Sequence, residues 1–177
     1  MNFKWTAFAA AALLVLAALL GGWTAWRHYG MEQPLHRLAQ QMPGVLEAET
    51  EWEADRVRMR LRLAPDADLA AIVRRLETEG SAALGRRTLE FEFAAESGER
   101  LERIWQDAFF EVAEAMEHRR YSEVRDLVLG LAERHPGIEA TVRMDDRYVY
   151  IRLKDGDRVK FILLPRETDA PEVETDA

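Results

Sequence analysis

Glu47-Ala48-Glu49-Thr50-Glu51-Trp52-Glu53-Ala54-Asp55-Arg56-Val57-Arg58-Met59-Arg60-Leu61-Arg62-Leu63 is the stretch that decides the fold. Glutamates alternate before Ala54-Asp55 and arginines alternate after it. A reversal at Ala54-Asp55 sets Glu53, Glu51, Glu49 and Glu47 opposite Arg56, Arg58, Arg60 and Arg62. The intervening pairs, Trp52–Val57, Thr50–Met59, Ala48–Leu61 and Leu46–Leu63, then share the other face. One side is a ladder of opposite charges and the other is largely apolar, the pattern of a half-buried antiparallel hairpin. A slip of one residue would mix the faces, so the pattern specifies its own register.

Working outward, a helix is expected from Asp66 to about Glu79, with Leu69, Ile72, Val73 and Leu76 on one stripe. After Gly80 and Gly85, Leu89, Phe91 and Phe93 alternate with Glu90 and Glu92 as a third strand. Upstream, Leu38-Ala39-Gln40-Gln41-Met42-Pro43-Gly44-Val45 ends a short helix and opens the first strand. It reads like Leu131-Ala132-Glu133-Arg134-His135-Pro136-Gly137-Ile138 farther along. Each copy is a helix end broken by Pro-Gly, followed by Glu-Ala, a turn ending in Asp-Arg and a second alternating strand. The chain therefore carries a repeated helix–hairpin unit.

The second copy is preceded by a long helix with Leu101, Ile104, Trp105, Ala108, Val112 and Ala115 or Met116 on one stripe. Ser122 is the expected N-cap of the next helix, whose stripe is Leu127, Val128 and Leu131. A hairpin with an Asp145-Asp146 loop would align Val142–Val149, Ala140–Ile151 and Ile138–Leu153. A second hairpin is expected to turn through an odd loop, Lys154-Asp155-Gly156. That loop puts Val149, Ile151 and Leu153 on one face with Val159, Phe161 and Leu163.

The N-terminal stretch has a different character. From Trp5 to Trp26 no charged residue occurs, and as a helix those positions span about 33 Å, enough to cross a hydrocarbon core. Lys4 and Arg27 bracket the run, with aromatic residues at both ends. A cleaved signal peptide is the competing reading, but cutting after Ala25 would leave Trp23 where a small residue is required. The expected fold class is thus α+β: a transmembrane helix, then two small helix-plus-antiparallel-sheet modules, αββαβ and ααβββ. The boundaries are residues 1–30 for the anchor, 31–95 and 96–165 for the modules, and 166–177 for a disordered acidic tail.

Composition narrows the function. The 177-residue chain has 48% hydrophobic and 32% charged residues and a formal charge of −8. Beyond residue 30, 22 Lys and Arg stand against 32 Asp and Glu, which disfavours both nucleic acid and anionic lipid surfaces as the main partner and leaves room only for local basic patches. Cysteine is absent, so disulfides, thiolate metal sites and a cysteine nucleophile are excluded. No Gly-rich phosphate loop, His-Glu-x-x-His, Gly-x-Ser-x-Gly or EF-hand loop occurs. The histidines, His28, His36, His118 and His135, are scattered without ligand spacing. Asp155-Gly156-Asp157 reads as a hairpin turn and not as a calcium loop. No cofactor, metal or catalytic residue is expected.

What remains is a surface. With Val149, Ile151 and Leu153 turned to the core, the expected outer face of the last sheet carries Tyr148, Tyr150, Ile162 and Leu164, with Arg143 and Arg152 among them. Aromatic and apolar bodies mixed with arginine suit a protein-contact surface. The bland reading is that the first module or the long helix covers this face within the chain, and the pattern alone does not choose.

The segment Leu38 to Phe93 resembles the small αββαβ ring-building modules of flagellar and type III secretion inner rings and of sporulation-channel proteins. The resemblance rests on Pro43-Gly44-Val45 before a strand, the alternating hairpin, and Ala64-Pro65-Asp66-Ala67-Asp68-Leu69 opening the second helix. The second part departs from that pattern, with no helix between its last two strands. Such modules act through surfaces, so no functional residues carry over. The expected function is a non-catalytic single-pass protein of a bacterial envelope. Its soluble part, expected outside the cytoplasm, binds an unknown protein or itself, while the anchor holds the membrane through residues 5–26. A ligand-sensing ectodomain with a pocket between the modules is the alternative, and a hydrolase with an unrecognised site is the third.

Overall fold

The computed structural model describes residues 33–94 and 97–166. The fold over those residues is α+β, with two helix-plus-three-strand modules. The first comprises α1 (Gln33–Gln40), β1 (Val45–Trp52), β2 (Arg56–Leu63), α2 (Leu69–Leu84) and β3 (Thr88–Phe93). The second comprises α3 (Gly98–Glu117), α4 (Tyr121–Arg134), β4 (Ile138–Met144), β5 (Tyr148–Asp155) and β6 (Arg158–Pro165). Among the described residues no helix is long and apolar enough to cross a membrane. The expected anchor and the tail beyond Arg166 lie outside the described residues.

The first sheet has the order β1-β2-β3. β1 and β2 pair in the register the charges dictate: Glu47, Glu49 and Glu51 oppose Arg62, Arg60 and Arg58, and Ala48, Thr50 and Trp52 oppose Leu61, Met59 and Val57. The exception is at the start of β1. A bulge between Val45 and Glu47 sets Val45, not Leu46, opposite Leu63, and Leu46 is left 59% exposed. β3 joins β2 in parallel after the α2 crossover, with Glu90 and Glu92 beside Arg58 and Arg60. The charge ladder thus extends over three strands, with Arg60 between Glu49 (3.5 Å) and Glu92 (3.2 Å). Val57, Met59 and Leu61 on the opposite face are fully buried.

The helix α2, expected from Asp66 to about Glu79, runs instead from Leu69 to Leu84. Asp68 is the N-cap, its carboxylate accepting from Ala71 N–H at 3.1 Å. The helix runs through Gly80 because that residue is buried against Leu35 of α1, where a Cβ would overlap the Leu35 side chain.

In the second module the α3 stripe is buried as expected, with Met116 half-buried. Ser122 is not the cap of α4. The chain reverses at once through Arg119, at φ 55°, and α4 begins at Tyr121. The β4–β5 pairing keeps the expected faces but is shifted by two residues: Met144, Val142 and Ala140 oppose Val149, Ile151 and Leu153. Asp145 N–H bonds Tyr148 C=O at 3.0 Å, so Asp146-Arg147 is the turn.

The last hairpin corrects the expected parity. Asp155 pairs with Arg158, so the loop is the two residues Gly156-Asp157, with Gly156 at φ 60°. Tyr150 now opposes Leu163, Arg152 opposes Phe161, and Ile151 opposes Ile162. The odd loop assumed that this sheet has one buried face. It has two. Val149, Ile151 and Leu153 pack with Ile162 and Leu164 against α3 and α4. Tyr150, Val159 and Phe161 belong to the buried cluster of the first module.

Candidate protein-contact surfaces

The structure separates the six residues expected on one contact face. Tyr148, Tyr150, Arg143 and Arg152 lie on the face turned to the first module. Ile162 and Leu164 lie on the opposite face, under the helices of the second module. The grouping fails because it depended on the odd loop.

The Tyr face is covered from within the chain. Tyr150 is 4% exposed and joins Leu69, Ile72, Val73 and Leu76 of α2 in one cluster, and the Phe93 and Phe161 rings lie 6.4 Å apart. Polar contacts rim this apolar contact. Arg143 donates to Asp68 at 2.7 Å and Lys154 to Asp66 at 2.9 Å, while Tyr148 donates to Glu77 at 2.9 Å. The Tyr150 hydroxyl donates to Asp145 at 2.6 Å. Burial opposes ionisation of Asp145, but that hydrogen bond and the amides of Arg147 and Tyr148 outweigh it and hold its carboxyl below the usual range. Burial and the same Asp145 contact push the Tyr150 hydroxyl far up, so it stays a neutral donor.

Beside these contacts is a cleft of about 170 Å³, lined by Asp66, Asp68, Thr141, Arg143, Tyr150 and Arg152 among others. Its charges answer one another: Asp68 binds Arg143, and Arg152 lies 3.9 Å from Asp66. Among the described residues no group of three or more His, Asp or Glu side chains converges to hold a metal ion.

The outward-facing apolar surface lies elsewhere. On α3, Phe110 is 78% exposed and Phe109 44% exposed. Trp105, Phe109 and Phe110 form a chain of edge-on ring contacts with centroids 6.0 and 6.1 Å apart, so a buried tryptophan seats the exposed pair. At 100° per residue Phe110 points away from the Leu101–Ala108–Val112 stripe, where an amphipathic helix normally carries a polar residue. That departure was visible in the sequence: Phe109-Phe110 interrupts the polar side of an otherwise regular stripe. Leu129 of α4 and Met144 at the end of β4 are also exposed.

No family model, no curated protein and no solved structure matches this chain.

Proposed function

We propose that the chain is a non-catalytic, single-pass membrane protein of a bacterial envelope, with its soluble part outside the cytoplasm and acting by binding protein. The uncharged run Trp5–Trp26 supports the anchor. The observation that carries the binding role is the outward Phe109-Phe110 pair on α3. Two large rings facing water forgo roughly 25 cal/mol for each Å² that a partner would bury. Aromatic anchors at the centre of a patch are the usual carriers of interface energy.

The test replaces Phe110 with Glu in the full-length protein and measures its co-purified partners, or its own oligomeric state, in mild detergent. Loss of association with an unchanged melting temperature supports the reading. Unchanged association removes α3 as the contact.

A second reading, a small-ligand sensor, is favoured only by the cleft at the junction of the modules. Its volume is below the range of about 300–1,000 Å³ of most ligand pockets, and its arginines already have carboxylate neighbours. A polar ligand there would compete with Asp66 and Asp68. Arg143→Ala would then abolish its binding.

A further inference from the structure

The connections of this fold sort by charge between its two ends. α1 runs antiparallel to α2: Leu35, near its start, meets Gly80, and Gly44, just after its end, meets Ala67. The end at which α1 begins therefore also holds the end of α2. β3 starts beside the β1–β2 turn, with Thr88 N–H bonding Asp55 C=O at 3.1 Å. β5 is antiparallel to α2, since Lys154 reaches Asp66 while Tyr148 reaches Glu77, so the β4–β5 turn lies toward the same end. Arg166 N–H bonds Arg147 C=O, and its guanidinium lies 4.5 Å from the centre of the Tyr121 ring, which brings in the α3–α4 reversal and the exit of β6.

That end contains residues 53–55, 85–87, 118–120, 145–147 and 166. They include Arg86, Arg87, Arg119, Arg120, Arg147 and Arg166 against Glu53, Asp55, Asp145 and Asp146. The described connections at the other end (41–44, 64–68, 94, 97, 135–137 and 156–157) hold no Lys or Arg and carry Asp66, Asp68 and Asp157, although Arg134 and Arg158 flank them and Lys154 and Arg143 pair with Asp66 and Asp68. In a chain of net charge −8, every arginine placed in a described connection is at the end from which the chain leads back to Trp26.

We infer that this arginine-bearing end rests on an anionic phospholipid surface, orienting the soluble part with its Asp-bearing end away from the membrane. The inference rests on the anchor reading above. Only residues 27–32 separate Trp26 from α1, so even fully extended they hold the start of α1 within about 25 Å of the interface. Within such reach the domain could still tumble. Attraction of the arginines by anionic headgroups selects one pose, and it acts within a Debye length of about 8 Å at physiological salt.

The chain has no cysteine, so single labels are unambiguous. Full-length Ala54→Cys, at the arginine end, and Asp157→Cys, at the far end, each carry a fluorophore. Each is reconstituted in vesicles bearing a headgroup quencher, made of phosphatidylcholine alone or of phosphatidylcholine with phosphatidylglycerol. With phosphatidylglycerol, quenching at position 54 should exceed that at 157 by about twofold or more, and salt near 1 M, where the Debye length is about 3 Å, should erase the difference. Arg86→Glu, at an exposed position, should reduce it. Flotation with phosphatidylcholine vesicles reports the anchor separately. A chain that floats but is quenched equally at both ends, or without regard to phosphatidylglycerol, overturns the orientation and leaves the anchor standing. A chain that does not float with phosphatidylcholine overturns the anchor, and the orientation with it.

Discussion

The Tyr148 hydroxyl donates to Glu77 Oε1 at 2.9 Å, and Arg147 Nη2 lies 2.9 Å from the same oxygen. The two residues stand 71 positions apart, one at the start of β5 and the other on α2, and the Glu77 side chain is only 11% exposed. This carboxylate is the point at which the β4–β5 turn of the second module is tied to the helix of the first. Glu77→Ala should therefore destabilise the protein by about 1–3 kcal/mol, since it strands a partly buried hydroxyl, and Tyr148→Phe by about 0.5–1.5 kcal/mol. Urea melts of both and of the double variant check this. The double variant should lose less than the sum of the singles. Strict additivity would show that the contact does not form.

Tyr150 and Phe161 are 4% and 6% exposed on the face of the second sheet that meets the first module. Phe161→Ala and Tyr150→Ala should each cost about 3–5 kcal/mol, the range for large aromatic truncations in a core. Circular dichroism during denaturation would measure it. A cost near zero for both would return this face to solvent.

Arg60 and Leu61 are neighbours in β2 with opposite fates. Arg60 sits among Glu49 and Glu92 on a face where all three side chains are at least half exposed, whereas Leu61 is 0% exposed. Arg60→Ala should change stability by about 0–1 kcal/mol. Leu61→Ala should cost about 2–5 kcal/mol. The charge ladder fixes register; the apolar face supplies the stability. An Arg60 variant as damaging as Leu61→Ala would refute that division.

Much of this was legible in the sequence because each first-module strand has one wet face. Glu and Arg alternate with apolar residues there, so parity and register follow from charge alone, apart from the bulge at Leu46. The second sheet defeated the same logic. In Tyr148-Val149-Tyr150-Ile151 the apolar character is continuous, the signature of a strand buried on both faces. Assuming one core face forced Val159 and Phe161 onto the side of Ile151 and required an odd loop. Lys160 reinforced the error, since a cation reads as outward-facing, yet on the true register it faces α3 and meets Glu102 at 2.8 Å. Arg152 and Lys154, on the other side, reach Pro65 and Asp66. The exposed pair Phe109-Phe110 was readable from the helical stripe alone, since it falls on and beside the polar side.

Asp145, Asp66 and Asp68 all have carboxyls held below their ordinary value of 3.8 in the folded state. For Asp145 and Asp68 burial opposes the shift, and hydrogen bonds outweigh it; for Asp66 the leading cause is the Lys154 contact. A depressed folded value means the unfolded chain takes up protons first. The stabilisation is complete above the ordinary carboxylate range and is lost as pH falls from about 4 through the lower folded values. Stability measured between pH 7 and pH 2 should therefore decline steeply below about pH 4, and Asp145→Asn should make that decline shallower. An unchanged acid limb in Asp145→Asn would contradict the assignment.

Hydroxyl-radical footprinting of the native full-length protein, read at Tyr150 and Phe110 together, tests most directly the claim that the second sheet is closed by the first module while α3 offers the open aromatic surface. The structure predicts rapid oxidation of Phe110, 78% exposed, and protection of Tyr150, 4% exposed, until the whole domain unfolds in urea. Oxidation of Tyr150 in the native protein at a rate comparable to that of Phe110 would contradict the account.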